Sequence, residues 1–196
     1  MMPVAVVCGG LGTRLGALTA HIPKYLVPIH NEPFAFHQLR LLQAKGVHRV
    51  VLCIGHLGSM IEAFIGDGRR FGLEVAYSRD GDKPLGTAGA VAHALPLLGN
   101  RFFTLYGDSY LDCDYAGIES AFLQSGKAGL ITVYRGVDYG LSVFHSAAFN
   151  DVTSGSLTQI HRHLQEQDEL FIFEIDRPFQ EAGSLAGIEE LHGILG

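Results

Sequence analysis

The sequence predicts an α/β domain built on a mostly parallel sheet with helices on both faces, and three observations carry that prediction. Short β-rich runs alternate with single helical patterns along the chain. Parallel strands need crossover connections, and those crossovers are usually helices. Several runs are apolar throughout, as strands buried on both faces are. With 196 residues, 47% of them hydrophobic, the chain can bury one substantial core but not two, so a single domain over 1–196 is expected.

The strand signals are Val4–Cys8, Arg49–Ile54, Leu73–Tyr77, Phe102–Tyr106, Leu130–Tyr134, Leu141–Phe144 and Leu170–Ile175; the first, second and fourth read as buried on both faces. The clearest helix between them takes Asn31 as its cap, Pro33 in its first turn and Gly46 as its terminator. Ala35, Leu39 and Leu42, spaced i, i+4, i+7, fall on one face of it. Leu57, Ile61 and Phe64 repeat the pattern before Gly66, Ile118 and Phe122 follow Asp114, and Ile188, Leu191 and Leu195 close the chain. No internal repeat or Pro/Ser-rich linker interrupts the series.

Composition removes several functional classes. The net charge is -6 and the 14 basic residues are scattered, so no basic stripe tracks a nucleic-acid backbone. No apolar run reaches the roughly 18 residues of a membrane span, and no basic segment precedes an apolar one at the N-terminus. A soluble, cytoplasmic protein is expected, with no nucleic-acid or membrane partner. Cys8 and Cys53 sit in apolar runs and Cys113 in an acidic turn, which reads as three free thiols. The ten histidines are dispersed, and His161 and His163 would point to different sides of their helix, so no histidine metal site is expected.

In parallel sheets ligands sit outside the carboxyl ends of the strands, so the residues just after each strand carry the chemistry. Gly9-Gly10-Leu11-Gly12-Thr13-Arg14 follows the first strand. Glycines let consecutive N–H groups approach a phosphate, and the guanidinium adds a fork matched to its oxygens; a plain tight turn is the alternative. No Gly-Lys-Ser/Thr follows, and no acidic residue closes the second strand at Ile54-Gly55-His56 to hold a ribose diol. Lys24 stands between Pro23 and Pro28, either as an anion-binding lysine of restricted freedom or as a surface lysine. Gly86-Thr87-Ala88-Gly89 opens a helix, where free N–H groups suit a base or phosphate and a capping turn would serve equally. Asp108 ends an apolar strand as a Mg²⁺ ligand or a cap, and Glu181, ahead of Gly183-Ser184, is a second carboxylate or a solvated loop acid.

Taken in this order, Gly-Gly-x-Gly-Thr-Arg-Leu, Pro-Lys, Leu-Gly-Thr-Ala-Gly, Gly-Asp and Glu-x-Gly-Ser resemble the sugar-phosphate nucleotidyltransferase family over nearly the whole chain. The resemblance implies a Rossmann-like α/β/α sandwich with a mostly parallel, mixed sheet. It implies a nucleoside triphosphate held by Gly9, Gly10, Leu11, Gly12, Thr13, Arg14 and Lys24, together with Gly86, Thr87, Ala88 and Gly89, and Mg²⁺, or Mn²⁺ in its place, on Asp108 and Glu181. Arg14 and Lys24 are the catalytic pair it implies, and Asp138 and Gly140 line its sugar pocket. The reaction implied is in-line attack of a sugar 1-phosphate on the α-phosphorus of the triphosphate, with release of pyrophosphate.

Members of that family usually carry a longer segment after Leu130–Tyr134, with a lysine that contacts the sugar phosphate; here only Arg135 to Gly140 intervene before Leu141. The small size and the Gly-Gly loop resemble the short bacterial guanylyltransferases acting on heptose or mannose 1-phosphate. GTP is therefore the expected donor, with uridylyl or thymidylyl transfer to a hexose 1-phosphate as the alternative. An inactive relative that binds sugar nucleotides is the reading from another class, and a homo-oligomer is left open.

Overall fold

All seven β-rich runs enter one sheet in the computed structural model, which describes residues 1–10, 12–81 and 83–195. The chain begins with β1 (Val4–Val7), two short 3₁₀ segments (Thr13–Thr19 and Lys24–Leu26), the hairpin β2 (Pro28–Ile29) and β3 (Glu32–Pro33), and α1 (Phe34–Ala44). There follow β4 (Arg49–Ile54), α2 (Gly58–Ile65), β5 (Glu74–Arg79), α3 (Gly86–Leu98), β6 (Arg101–Tyr106) and the two-residue β7 (Ser109–Tyr110). The remainder is α4 (Tyr115–Ser125), β8 (Gly129–Tyr134), β9 (Val137–His145), α5 (Leu157–Glu166), β10 (Leu170–Glu174), β11 (Gln180–Glu181) and α6 (Leu185–Ile194).

The sheet order is β10-β8-β9-β6-β1-β4-β5. Alternation along β1 sends Val4 and Val6 into one core and Ala5 into another, which is why the strand needs cover on both faces. On the Ala5 side lie Ala88, Val91 and Ala94 of α3 with Leu157, Ile160 and Leu164 of α5. On the other lie Leu39 and Leu42 of α1, Ile61 of α2, Ile118 and Phe122 of α4, and Leu191 of α6. The result is the three-layer α/β/α arrangement expected from the sequence.

Ala35, Leu39 and Leu42 are fully buried, as their spacing predicts, but Asn31 does not cap that helix. It lies in the tight turn between β2 and β3, beside His30 at φ 53, and the extended residue before the helix is Pro33. The two short strands consume the residues that would otherwise have formed a cap. Asp114 does cap α4, its carboxylate accepting Gly117 N–H at 3.0 Å, and Ser184 caps α6 by accepting Gly187 N–H at 3.1 Å.

β9 is the one antiparallel strand of the sheet, paired with β6 and β8, while the other neighbours run parallel. It starts at Val137 rather than at Leu141, so only Arg135 and Gly136 join it to β8. Both have positive φ, 51 and 77, the backbone that a two-residue hairpin needs to match the twist of its strands. The short segment between these strands is thus a closed hairpin.

After β1 the chain builds β4 and β5 to one side and then crosses to place β6 on the other. The carboxyl ends of β1 and β6 therefore flank the crevice where such sheets bind ligands. Gly107 lets those ends meet: its N–H donates to Val7 O at 2.9 Å, and a Cβ there would overlap Cys8.

Candidate active site

The loop leaving β1 turns back at Gly12, in the left-handed region at φ 66. A Cβ at that position would lie 3.1 Å from Lys24 Cβ and 3.0 Å from Thr19 Cγ2, so glycine allows the loop to close onto Lys24. Thr19 Oγ1 holds the closure by donating to Gly12 O at 2.9 Å. Thr13 and Arg14 are left exposed at the start of the following turn. Leu11 lies outside the described residues.

Lys24 begins a single 3₁₀ turn after the extended Pro23, with Tyr25 and Val27 buried beside it as anchors. Its side chain is only 15% exposed and its ammonium donates to Asp108 Oδ2. The reading of Lys24 as a surface lysine is therefore corrected, because a carboxylate from just beyond β6 reaches it. Arg14 by contrast lies largely in solvent, its side chain 70% exposed and its guanidinium 3.6 Å from the same oxygen.

Asp108 and Glu181 are brought together by the pairing of β7 with β11, in which Ser109 faces Glu181 and Ala182 N–H donates to Asp108 O at 2.7 Å. The Glu181 carboxylate is oriented by Gly183 N–H and the Ser184 hydroxyl, both donating to it. A Cβ on Gly183 would come within 2.8 Å of Lys24 Nζ and 2.9 Å of Asp108 Oδ2 and would overlap Glu181 Oε2. Two carboxylates and an ammonium thus converge over a glycine with no side chain to separate them. No group of three or more His, Cys, Asp or Glu suited to a metal occurs among the described residues. The pair fits a hard divalent cation of the kind held by one or two carboxylates plus substrate phosphates.

The two carboxylates open on a cleft of about 340 Å³ lined by Arg14, Tyr106, Asp108, Asp138, Gly140 and Glu181, among others. The Asp138 carboxylate accepts Gly140 N–H at 2.8 Å, and Gly140, at φ 91, leaves room for Ser109 Oγ. Burial and the nearby Asp138 and Asp108 carboxylates push the Tyr106 phenol up to about 12, so it stays a neutral donor on the cleft wall.

Gly9 and Gly10 line a second cleft of about 380 Å³ with Gly55, His56, Asp80 and Pro84. Gly86, Thr87, Ala88 and Gly89 line neither cleft. They receive the loop before α5: Ala88 N–H donates to Gly155 O at 2.9 Å, Leu157 N–H donates to Thr87 Oγ1 at 2.9 Å, and a Cβ on Gly89 would lie 2.8 Å from Ser154 Cα. Close packing of the start of α3 against this loop requires small residues there.

Sequence reasoning missed two residues. Gln38 is fully buried on the Ala35–Leu39–Leu42 face of α1, and its Nε2 donates to Tyr106 O at 3.1 Å and Ser109 O at 2.6 Å, clamping the turn that presents Asp108. A polar residue on an otherwise apolar helical face was the signal that could have found it. Asp80 directly follows β5 at the ligand edge of the sheet. Burial raises its pKa above the usual carboxylate value, opposed by His93 and by the N–H of Leu85. The three cysteines are free, as expected, and all are buried, Cys113 included despite its acidic turn; burial raises the Cys8 thiol well above its usual value. No described helix is long and apolar enough to cross a membrane.

Comparison with known proteins bears on the family and the fold. The chain is 32% identical over 118 residues to the D-glycero-alpha-D-manno-heptose 1-phosphate guanylyltransferase of Campylobacter jejuni, which covers 60% of this chain and 52% of that protein. It is 40% identical over 111 residues to the glucose-1-phosphate thymidylyltransferase of Streptomyces griseus, covering 56% and 31% respectively. These matches span about half, or less, of the length of the curated relatives. The fold matches HddC from Yersinia pseudotuberculosis, solved with GMP-PN, with a TM-score of 0.84 over the whole of both chains at 19% identity. The family model described as "Nucleotidyl transferase" matches residues 4–149, from β1 through β9 and the site residues up to Gly140, and the chain belongs to that family.

Proposed function

We propose that this chain transfers a nucleoside monophosphate from a nucleoside triphosphate to a sugar 1-phosphate, releasing pyrophosphate, and that GTP and a heptose or mannose 1-phosphate are its substrates. The observation that carries the reading is the convergence of Lys24, Arg14, Asp108 and Glu181 at the crevice between β1 and β6. A phosphate oxygen attacking the α-phosphorus needs positioning and charge neutralisation, with no covalent nucleophile from the protein. Lys24 and Arg14 donate to triphosphate oxygens as charge moves to the departing pyrophosphate. Asp108 and Glu181 would hold Mg²⁺ or Mn²⁺, which when bound supplies further neutralisation at those oxygens. Asp138 and the backbone at Gly140, across the same cleft, contact the sugar.

Support for GTP comes from the Campylobacter relative, whose name is that of a heptose 1-phosphate guanylyltransferase. The second reading, thymidylyl or uridylyl transfer, is favoured by the identity to the Streptomyces thymidylyltransferase. The test is pyrophosphate release with all four triphosphates against a panel of sugar 1-phosphates, followed by competition at equal donor concentration. Preference for GTP is the expected result. Excess pyrimidine product would overturn the donor assignment, and no release with any pair would overturn the activity.

A further inference from the structure

Two histidines join the segments that carry the site. His30 stands at the tip of the β2–β3 hairpin, soon after the turn that presents Lys24, and His192 stands in the last turn of α6, the helix whose Ser184 cap orients Glu181. Their contact is reciprocal: His30 N–H donates to His192 Nδ1 at 3.2 Å, and His30 Nε2 lies 2.8 Å from His192 O. The rings meet edge to face with centroids 4.6 Å apart. His30 has φ 53, a left-handed backbone that a residue with a side chain keeps only where surrounding contacts hold it. His30 is exposed and His192 half-buried, so protons reach the pair from solvent.

A backbone N–H only donates and a carbonyl only accepts, so the contact fixes both tautomers: His192 Nδ1 is bare and His30 Nε2 carries a hydrogen. A further proton then acts differently on each ring. His30 donates, as does His37, whose Nε2 lies 3.2 Å from Ile29 O on the same hairpin, and a donor keeps its bond when charged. His192 accepts, and its second proton would set an N–H against the His30 N–H. We propose that His192 is an acid-sensitive latch between the hairpin and α6. Neutral, it holds the end of the helix on the turn; protonated, it releases the helix and loosens the Glu181 carboxylate at the other end. That release reaches turnover rests on the reading of Glu181 given above. The charged and titratable groups on the surrounding elements are Glu189 and Glu190 of α6, Glu32 of β3, Glu181 of β11, His37 of α1 and Arg177, which lines a pocket with Ile194 and Leu195. Glu189, one turn before His192, and the last carbonyls of α6 attract a charged ring, so release leaves it with partners; Arg177 and a charged His37 repel it.

The test follows amide hydrogen exchange in the C-terminal half of α6 from about pH 8 to about pH 5.5, the range in which histidines change charge, with each rate set against the intrinsic rate at that pH. Wild type, His192→Asn and His192→Ala are compared. Asparagine Oδ1 takes the place of Nδ1, accepts the same N–H and does not titrate. Wild-type protection is expected to fall about 3- to 10-fold with acid, the size of one neutral hydrogen bond. His192→Asn is expected to keep its protection, and His192→Ala to show the low value at every pH. Turnover in acid is expected to drop about two- to fivefold more in the wild type than in His192→Asn, while the two agree within about twofold at the alkaline end. Comparing them at one pH cancels every other titrating group. Wild-type protection that does not move with pH overturns the latch, and so does a His192→Asn variant that loses protection in step with the wild type. Equal acid loss of turnover in both, with the exchange difference present, overturns the link to Glu181. The exchange arm needs no substrate, so a chain without transferase activity overturns that reading and the link to turnover, while the latch itself stands or falls on exchange.

Discussion

The backbone of Asp108 is tied to that of Ala182, whose N–H donates to the Asp108 carbonyl oxygen at 2.7 Å. This bond, beside the pairing of Ser109 with Glu181, sets two carboxylates from distant parts of the chain at one cleft. It leaves the Asp108 side chain free of any duty in holding the turn.

Turnover should therefore depend on a divalent cation and on the charge of Asp108. EDTA is expected to abolish pyrophosphate release and Mg²⁺ or Mn²⁺ to restore it. Asp108→Asn keeps the carbonyl that binds Ala182 and should lower turnover by about 100-fold or more while the melting temperature moves by no more than about 3 °C. Unchanged activity in EDTA would contradict the first expectation, and a much larger thermal loss would make Asp108 structural.

Lys24→Ala is expected to reduce turnover on the order of 10²–10³-fold, as deletion of one preorganised donor does elsewhere. Its ion pair with Asp108 is partly shielded, so a small loss of stability, about 1 kcal/mol, should accompany this. Arg14→Lys should recover only part of the wild-type rate, because an ammonium cannot make the two parallel bonds of a guanidinium. Steady-state kinetics and melting curves on both variants decide it; turnover within about twofold in Lys24→Ala would remove that residue from the mechanism.

Gln38→Met preserves volume but removes both donors to the Tyr106 and Ser109 carbonyls. Leaving buried carbonyls unpaired costs about 1–3 kcal/mol. The variant should melt several degrees lower, and because the Asp108 turn loosens, kcat should fall with little change in KM for the triphosphate. Normal kcat in a destabilised protein would confine Gln38 to folding.

His161 couples stability to pH. Its Nε2 lies 2.9 Å from Ser142 Oγ and its ring stacks on Phe144 at 5.3 Å. Burial lowers its pKa from the ordinary 6.5, with Asp138 opposing. Below about pH 6.5 the unfolded chain takes up a proton that the native state resists, so the stabilising contribution is complete above that pH and is lost as pH falls through the lowered native value. Denaturant titrations from pH 7.5 to 5 should show stability declining with acid, and His161→Gln should flatten that decline. An equal slope in the variant would assign the acid loss to other groups.

The sequence alone determined the α/β class, the seven strands of the sheet and the face of α1 that carries Ala35, Leu39 and Leu42. These are short-range properties, because hydrophobic period and turn residues encode burial within a few positions of themselves. The same reasoning pointed to Gly12, Arg14 and Asp108, because residues just after parallel strands lie at the ligand edge, while Lys24 was marked by the prolines on either side of it. Boundaries failed where two structures competed locally. Asn31 and Pro33 suit a helix start as well as a tight hairpin, and β9 extends four residues earlier than its apolar run because pairing with β8 at Val137 and Asp138, rather than composition, holds its start extended.

Only the tertiary structure decided which loops meet. The strands β7 and β11 have two residues each, too few for any period, yet their pairing places Glu181 beside Asp108. Lys24 reaches Asp108, Gln38 clamps the turn, and Asp80 stands over Gly9 and Gly55 because separate helices and strands pack around β1. Such contacts depend on the summed burial of two cores rather than on any local pattern, so residue types could nominate these side chains, while their juxtaposition follows from packing.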